Sequence, residues 1–446
     1  MKNNKKGTST LFLAIILSAL ILVETTYIAY VADLDRRLTY TRALKEQAQI
    51  YLASYDRQLF KTYGIYAFNS SSIDSSVFNS ILSANGYEPG DVIYASGMYS
   101  IDTEVLKRAV ACYYSYRTSG ILFDRFSAQI MSLIDQIGDG GIISELREFV
   151  SSPASGLLGR IIDGGSDVSE AISGAVEILG IDDTSPSYQL FMSLLSSLGA
   201  IDNDSPDIAN GFDPSDIGFL FELIEFNSDL YDYGTAFNEN INLHGCLADY
   251  AANNFDCMLE EDTALNGTSF NAFHADNESD SEYILTGLEG LPGRALTDYY
   301  IFSAIFLKNL VSNMTDQGVQ EIVVPTAEIL SAVIGVLSAG TVILPPEVYE
   351  AVIVLLITEI QSVSELWQVL HGEEITFISL GEIEALTLDY RDFLTVFMNY
   401  VPDDLLLSRV LVIFERDFPD YAVGIDVETD YGGSTISYEA RYELYE

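Results

Sequence analysis

The hydrophobic and polar positions at the start of the chain predict one long helix. Residues 8–32 are apolar except for Glu24 and several hydroxyl side chains, and a helix of this length rises about 37 Å, enough to cross a bilayer. Over residues 33–63, apolar side chains recur at every third or fourth position, which is typical of an amphipathic helix. Glycine is common just after a helix, and Gly64 stands there. We therefore expect a single helix of about 55 residues that ends at Tyr63.

Alternating positions near the C-terminus predict a β-hairpin. Apolar and polar residues alternate over 421–431 and again over 436–444, with two glycines at 432–433 between them. A period of two buries one face of each strand, and a glycine pair favours a tight turn. Residues 91–99 read as a further strand, and a helix is expected over 103–117. Helices packed against a small antiparallel sheet predict an α+β fold that is mostly helical.

Two other segments are very apolar but short. Residues 329–344 and 351–358 each fall below the 20 or so residues that a transmembrane helix needs. We therefore expect both to be buried core helices. Between residues 120 and 280 the chain is rich in Gly, Ser and Asp, and helical patterns are interrupted, which predicts an acidic, loop-rich helical insertion.

At this length the chain is expected to fold as one large domain with an insertion, or as two domains. The expected organisation is a cytoplasmic tail (1–7), a transmembrane helix (8–32), an amphipathic spine helix (33–63), the first part of a head (64–119), the insertion (120–280) and the second part of the head (281–446).

The charges before the apolar run predict its orientation. Lys2, Lys5 and Lys6 precede it, and positive residues stay in the cytoplasm, so the rest of the chain is expected outside a cell membrane that it crosses once. A cleaved signal peptide is the alternative, and it requires a small-residue cleavage site. The residues from Val23 to Tyr27 contain no Ala-x-Ala pattern. Retention of the helix as an anchor is therefore favoured.

Glu24 is the one acid within the apolar run, and two interpretations of it stay open. An acid inside a membrane is costly unless it is compensated, so Glu24 could pair with a cation on a neighbouring subunit. It could instead lie at the outer headgroup boundary, about 24 Å beyond Thr8 along the helix.

The composition is strongly acidic. The 446 residues carry 66 Asp and Glu against 21 Lys and Arg, a formal net charge of -45, while 48% of residues are hydrophobic. The hydrophobic content predicts a folded chain, and the charge repels phosphate backbones, so no nucleic-acid partner is expected. Cations are the natural counterparts, and weak divalent-cation binding is one interpretation. The other is that the charge only keeps a surface protein soluble.

Cysteines and histidines are few. Cys246 and Cys257 are close in sequence and are the candidate disulfide in an oxidising compartment, which would leave Cys112 as an odd, buried thiol. The three histidines form no His-Glu-x-x-His motif, and the chain has no Gly-x-Ser-x-Gly, P-loop or Gly-x-Gly-x-x-Gly. We therefore predict no catalytic residues, no metal site and no cofactor.

A set of short blocks carries a resemblance to a known family. It begins with Lys6-Gly7-Thr8-Ser9-Thr10-Leu11-Phe12-Leu13 and the late Glu24, and continues in the same order through residues 55–68, 102–117, 282–285, 365–372 and 388–394. In these blocks the chain resembles the TadE/TadG-like pseudopilins of tight-adherence pili, and looks closest to an uncharacterised group of large Gram-positive members.

The resemblance implies a structural role: a membrane-anchored subunit or assembly factor of a pilus-like system, without catalysis. It implies as partners membrane lipid and other pilin-like or secretion-system membrane subunits. Type IV prepilins are cut after a Gly and carry a Glu five residues later, which makes Gly7 the candidate processing site, although Phe12 stands where that Glu would be. The alternative function is a free-standing acidic surface adhesin or cation-binding module. Such a protein would not depend on neighbouring subunits.

Overall fold

The computed structural model describes residues 5–72, 76–87, 92–114, 120–139, 141–204, 241–259, 279–378, 386–431 and 433–442. The described residues are mostly helical (73%) with small antiparallel sheets, which agrees with the α+β expectation. It divides into two compact units. Unit 1 comprises Met1–Ala109 and Phe414–Glu446, and unit 2 comprises Val110–Ile413. The segment expected as an insertion, residues 120–280, lies within unit 2, together with most of the expected second part of the head.

The described elements are as follows. The helices are α1 Lys5–Ala53, α2 Arg57–Tyr63, α3 Ser76–Ala84, α4 Thr103–Tyr114, α5 Gly120–Asp139, α6 Ile142–Val150, α7 Ala154–Asp163, α8 Ser166–Leu179, α9 Pro186–Asp204, α10 Ile241–Asn253, α11 Asp280–Thr286, α12 Leu291–Thr315, α13 Gln317–Leu337, α14 Pro346–Leu370, α15 Tyr390–Met398 and α16 Asp403–Asp417. The strands are β1 Phe68–Asn69, β2 Val92–Ser100, β3 Ile375–Ile378, β4 Leu386–Leu388, β5 Tyr421–Tyr431 and β6 Ser434–Arg441.

The long N-terminal helix is interrupted, so the expectation of one helix ending at Tyr63 is wrong. After α1 the Ser54 hydroxyl donates to the Tyr51 carbonyl oxygen (2.7 Å). The Asp56 carboxylate then accepts from the backbone N–H groups of Gln58 and Leu59, which makes it the N-cap that starts α2. Gly64, with φ 71°, ends α2 as expected, because its left-handed conformation lets its N–H reach the Phe60 carbonyl.

Unit 1 contains an antiparallel sheet built around β5. Strand β2 pairs with one edge of β5, and β6 and β1 pair with the other. The β5–β6 pair is the predicted C-terminal hairpin, with Tyr431 opposite Ser434, and β2 is the predicted strand over 91–99. The second half of α1 packs against this sheet and α3. The buried core between them consists of Ala43, Leu44, Ala48, Tyr51, Phe68, Phe78, Leu82, Ala422, Ile425 and Val427.

Unit 2 is built around three long helices. Helix α14 packs against α12, α13 and α6, and α13 packs against α8 and α9. The two short apolar segments expected as core helices lie mainly in α13 and α14, but these helices have 21 and 25 residues, longer than the apolar runs themselves. Their length therefore reaches what a membrane span needs.

Helix α4 begins at Thr103 as expected and is described as far as Tyr114.

A ladder of polar side chains joins α12 to α14. Asn309 donates to the Ser362 hydroxyl (3.1 Å), and Asn313 donates to the Thr358 hydroxyl (3.1 Å). Asn313 also donates to the Gln361 side chain (2.8 Å), and Lys308 forms an ion pair with Glu365. Both members of that ion pair are largely shielded from solvent, with side-chain exposures of 10% and 28%. The polar positions of α14 are therefore directed at another helix of the same unit.

Candidate membrane anchor

Three helical segments among the described residues are long and apolar enough to cross a membrane. They are Thr10–Ala53 within α1, all of α13 and all of α14. Their surroundings differ, because none of the most apolar window of the α1 segment is buried, whereas 39% of that of α13 and 61% of that of α14 are buried. Together these helices support membrane association.

The first half of α1 exposes large apolar side chains on every side. Residues 11–31 span about 31 Å of helix, which matches a hydrocarbon core about 30 Å thick. The exposed residues are Leu11, Phe12, Leu13, Ile15, Ile16, Leu17, Leu20, Ile21, Leu22, Val23, Tyr27, Ile28, Tyr30 and Val31. A soluble protein rarely leaves such a continuous apolar surface in water, so lipid is the environment that fits this segment.

The hydroxyl groups of this segment are satisfied within the helix. Ser18 donates to the Ala14 carbonyl oxygen (2.6 Å), Thr25 to that of Ile21 (2.8 Å) and Thr26 to that of Leu22 (2.7 Å). A hydrogen bond to the carbonyl four residues earlier removes most of the cost of placing a hydroxyl in hydrocarbon. These polar residues are therefore compatible with a membrane span.

The apolar surface ends in a short aromatic and charged region. Tyr27 and Tyr30 are exposed near the end of the run, and tyrosine is enriched where a helix leaves the hydrocarbon. An ion pair between Arg37 and Asp33 (3.1 Å) follows one turn later. Glu24 is exposed on the helix surface, about 10 Å before Val31 along the axis.

The rest of unit 1 first contacts α1 immediately beyond the apolar surface. The Tyr431 hydroxyl, at the end of β5, donates to the Asp33 carboxylate (2.9 Å), and the Tyr87 hydroxyl donates to Asp35 (3.2 Å). The Arg36 guanidinium lies over the Tyr87 ring, 5.7 Å from its centroid. Desolvation and the bond to Asp33 raise the pKa of Tyr431.

Further along, unit 1 holds α1 through buried contacts. The Gln47 side-chain oxygen accepts from the backbone N–H of Phe78 (2.8 Å), and Gln47 itself is buried. The Tyr40 ring lies 5.1 Å from that of Tyr431, and the Tyr442 hydroxyl donates to the Leu52 carbonyl oxygen (2.7 Å). The second half of α1 is therefore fixed to the sheet and α3, whereas the most apolar part of its first half is not buried.

The end of α1 is tied to β5 as well. The Tyr421 hydroxyl donates to the Asp56 carboxylate (2.8 Å). Burial works toward a higher pKa for Asp56, but the hydrogen bonds from Leu59, Tyr421 and Gln58 outweigh it and hold that pKa below its usual range. Burial and the same bond raise the pKa of Tyr421 to about 12.

The other residues singled out from the sequence do not form a second site. Gly7 lies in the first turns of α1. No disulfide joins Cys246 to Cys257, so that candidate bridge is not formed; both thiols are buried, and burial raises the pKa of Cys257 to about 11. Cys112 is exposed on α4 rather than buried, which corrects that expectation. The described residues contain no group of three His, Cys, Asp or Glu that could hold a metal ion.

The contacts that fix α1 to unit 1 were not identified from the sequence. The alternation over 421–431 places Tyr431 on the same face as Ile425 and Val427, so a position for Tyr431 toward a buried neighbour could have been inferred. The neighbour itself, Asp33, could not, because it lies almost the whole chain away.

No protein-family model, curated protein or solved structure matches this chain. The fold and the exposed apolar helix define the class directly: this is a membrane-associated α+β protein that is mostly helical.

Proposed function

We propose that this chain is a membrane-anchored structural or assembly subunit of a pilus-like system of the Tad pseudopilin type, without catalytic activity. The observation that carries the proposal is the division of α1. Its first half exposes an apolar surface of membrane length, and its second half is the spine of a compact unit that includes the antiparallel sheet. One continuous helix of this kind links a bilayer to an external unit. Neighbouring subunits can then pack against the same helix.

In this proposal α1 is the single transmembrane helix. Helices α13 and α14 are part of the packed interior of unit 2, and α14 directs Thr358, Gln361 and Ser362 at partners on α12. The Thr358 and Ser362 hydroxyls also donate to carbonyl oxygens of α14 itself (2.8 and 2.7 Å). Moving α14 into lipid would therefore cost free energy chiefly at the Gln361 side chain and the Asn313 amide, which would lose each other as partners. The three lysines before the apolar run place the N-terminus in the cytoplasm and the rest of the chain outside the cell.

An apolar strip on α1 supports packing with neighbours. Val31, Leu34 and Leu38 are spaced by three and four residues, so they share one face of the helix, and each is 44–48% exposed. Leu34 and Leu38 lie beyond the apolar segment over residues 11–31, next to the charged residues Asp33 and Arg37. Apolar side chains that stay uncovered outside the bilayer fit a contact with another helix, and pilin-like membrane subunits are the partners that we propose.

Accessibility of cysteines on intact cells tests the topology. Cys112 is exposed, so a membrane-impermeant maleimide should label the full-length protein from outside. Ile343, 87% exposed between α13 and α14, should also be labelled as Ile343→Cys in a Cys112→Ser background. Asn3→Cys in the same background should react only after the cells are lysed. Cys112→Ser alone is the matched control, because the two remaining cysteines are buried.

Each outcome decides one part of the proposal. Protection of Ile343→Cys on intact cells would show that α13 and α14 also cross the membrane, and labelling of Asn3→Cys from outside would reverse the orientation. Release of a shortened protein into the medium would show that α1 is a signal peptide. The mass of the mature N-terminus then shows whether the chain is intact or cut after Gly7.

A crosslinking experiment tests the subunit role. A photo-crosslinking side chain in place of Leu38 should capture another membrane subunit, whereas the same side chain in place of Arg36, which lies over the Tyr87 ring of its own chain, should not. Equal, low capture at both positions would favour the free-standing adhesin or cation-binding module.

A further inference from the structure

A histidine in unit 2 contacts two oxygen atoms with its two ring nitrogens. His244 lies in the first turn of α10 and is buried. Its Nδ1 contacts the carboxylate of Asp403, and its Nε2 is 2.6 Å from the backbone carbonyl oxygen of Asn399. A residue of α10 therefore holds the turn between α15 and α16 from both ends.

The two contacts require protons on both nitrogens. An ionised carboxylate and a backbone carbonyl only accept hydrogen bonds, and a neutral imidazole carries a single N–H. Only the imidazolium can donate to Asp403 and Asn399 together. After loss of one proton, a nitrogen lone pair would face an oxygen lone pair at one of the two contacts.

The turn that His244 holds is otherwise bonded to α15. The Asn399 side chain donates to the Thr395 carbonyl oxygen (2.7 Å), and the Asn399 backbone N–H points to the same carbonyl (3.3 Å). Asp403 is the first residue of α16. The contact of His244 with Asp403 therefore joins α10 to the start of α16.

Acidic side chains predominate on α10 and on the elements that pack against it. Among the described side chains the charged groups are Asp249 on α10 itself, Asp135 on α5, Asp280 and Glu282 on α11, Arg391 and Asp392 on α15, and Asp403 and Asp404 at the start of α16. Asp403 is the group whose charge acts on the His244 ring.

We propose that His244 is a pH-sensitive clasp, which holds the first turn of α10 against the start of α16 while the imidazole carries both protons and releases it when one proton leaves. The clasp makes the packing of unit 2 depend on the pH around it.

The direction of the dependence follows from the contacts. Burial works toward a lower pKa for His244, but the bonds to Asp403 and Asn399 and the charge of Asp403 outweigh it, so the pKa is raised above its ordinary value of 6.5. A raised folded pKa means that the stabilisation is fully present below about pH 6.5 and is lost as the pH rises through the folded value.

Histidine resonances of the wild-type protein give the first test. The chain has three histidines, so the full-length protein in detergent with labelled histidine gives few ring signals, and His274→Gln and His371→Gln assign them. We expect the His244 ring to carry protons on both nitrogens at pH 5.5 and to titrate above 6.5. A midpoint at or below 6.5, or a singly protonated ring at pH 5.5, would overturn the proposal.

Variants give the second test. His244→Gln should lower the Tm by about 2–4 °C at pH 5.5 and leave it equal to that of the wild type at pH 9. Asp403→Asn should shift the His244 titration to lower pH, whereas Asp404→Asn, an exposed neighbour, should leave it in place. A Tm difference of the same size at both pH values would mean that His244 only fills space. If His244→Gln does not fold, the wild-type titration decides.

Discussion

The first half of α1 and helix α14 are both apolar and both long enough to cross a membrane, yet their surroundings are opposite. The mean hydropathy of the most apolar window is 2.3 in the α1 segment and 1.4 in α14, and the buried share of that window is 0% and 61%. Hydropathy alone separates them only by degree. The polar residues separate them further. The Ser18 and Thr25 hydroxyls of α1 bond to their own helix, whereas the Thr358 and Ser362 hydroxyls of α14 bond to their own helix and also accept from Asn313 and Asn309 of α12.

The difference shows how to recognise a packed helix among apolar ones. A helix that meets only lipid must satisfy its polar groups internally, whereas a helix packed against another helix can pair them with that neighbour. In α14 these positions are spaced by three or four residues along one face, which faces a single partner. Partnered polar positions therefore show that α14 packs against another helix, which length and composition alone do not show.

Two leucine substitutions test the difference between α14 and the first half of α1, with the largest expected effect. Leu355 on α14 is fully buried, and Leu20 on α1 is 52% exposed. Leu355→Ala should reduce the free energy of unfolding by about 2–5 kcal/mol, because it leaves a cavity in the core of unit 2. Leu20→Ala, the same chemical change, should leave that free energy unchanged. Thermal unfolding of the full-length protein in detergent, followed by circular dichroism, measures both.

The opposite ranking would contradict the assignment of the two helices. If Leu20→Ala destabilised the protein as much as Leu355→Ala did, the first half of α1 would be packed against protein. If neither variant changed the unfolding transition, α14 would not belong to a packed core.

Removal of one polar side chain tests whether the polar bonds of α14 and α1 differ, and its expected effect is smaller. Asn313 is buried and donates to Thr358 and Gln361 of α14. Asn313→Ala should cost about 1–3 kcal/mol of unfolding free energy, because two acceptors on α14 lose their donor. Thr25→Ala on α1 is the matched control and should leave unfolding unaltered, since its hydroxyl bonds only to its own helix. Chemical denaturation measures both variants, and an equal loss would show that the α12–α14 bond contributes no more to stability than a bond within α1.

The smallest expected effect concerns the end of α1. Asp56→Ala should cost about 0.5–2 kcal/mol, because the variant removes the N-cap of α2 and the acceptor of the Tyr421 hydroxyl. The pKa of Asp56 is lowered, so its contribution is present above about pH 3.8 and is lost as the pH falls through the lower folded value. The stability difference between wild type and Asp56→Ala should therefore shrink below that pH.

Asp56→Asn is the control for this position. Asparagine also caps a helix, so most of the stability should return, while the dependence on acidic pH should disappear. An Asp56→Ala effect that is the same at pH 3 and pH 7 would show that the charge of this residue has no part in it.

The sequence by itself determined the elements whose signal is local. The apolar surface of α1, the alternation of β5 and β6 and the helix end at Gly64 all follow from neighbouring residues, because a helix or a strand has a fixed period and a left-handed helix end favours glycine. These features appear in the structure. Membrane association could be predicted as well, because a long apolar run is also a local pattern.

The tertiary structure decided the rest. It ended α1 at Ala53, where Asp56 caps the next helix and accepts from Tyr421, and it extended α13 and α14 beyond their apolar runs. It also brought Tyr431 to Asp33 and His244 to Asp403. The partners in these pairs are more than a hundred residues apart, and a periodic pattern carries no information about which distant residue will meet it. Burial and pairing are properties of the folded chain, so no local pattern could show that α14 is largely buried while the first half of α1 is exposed.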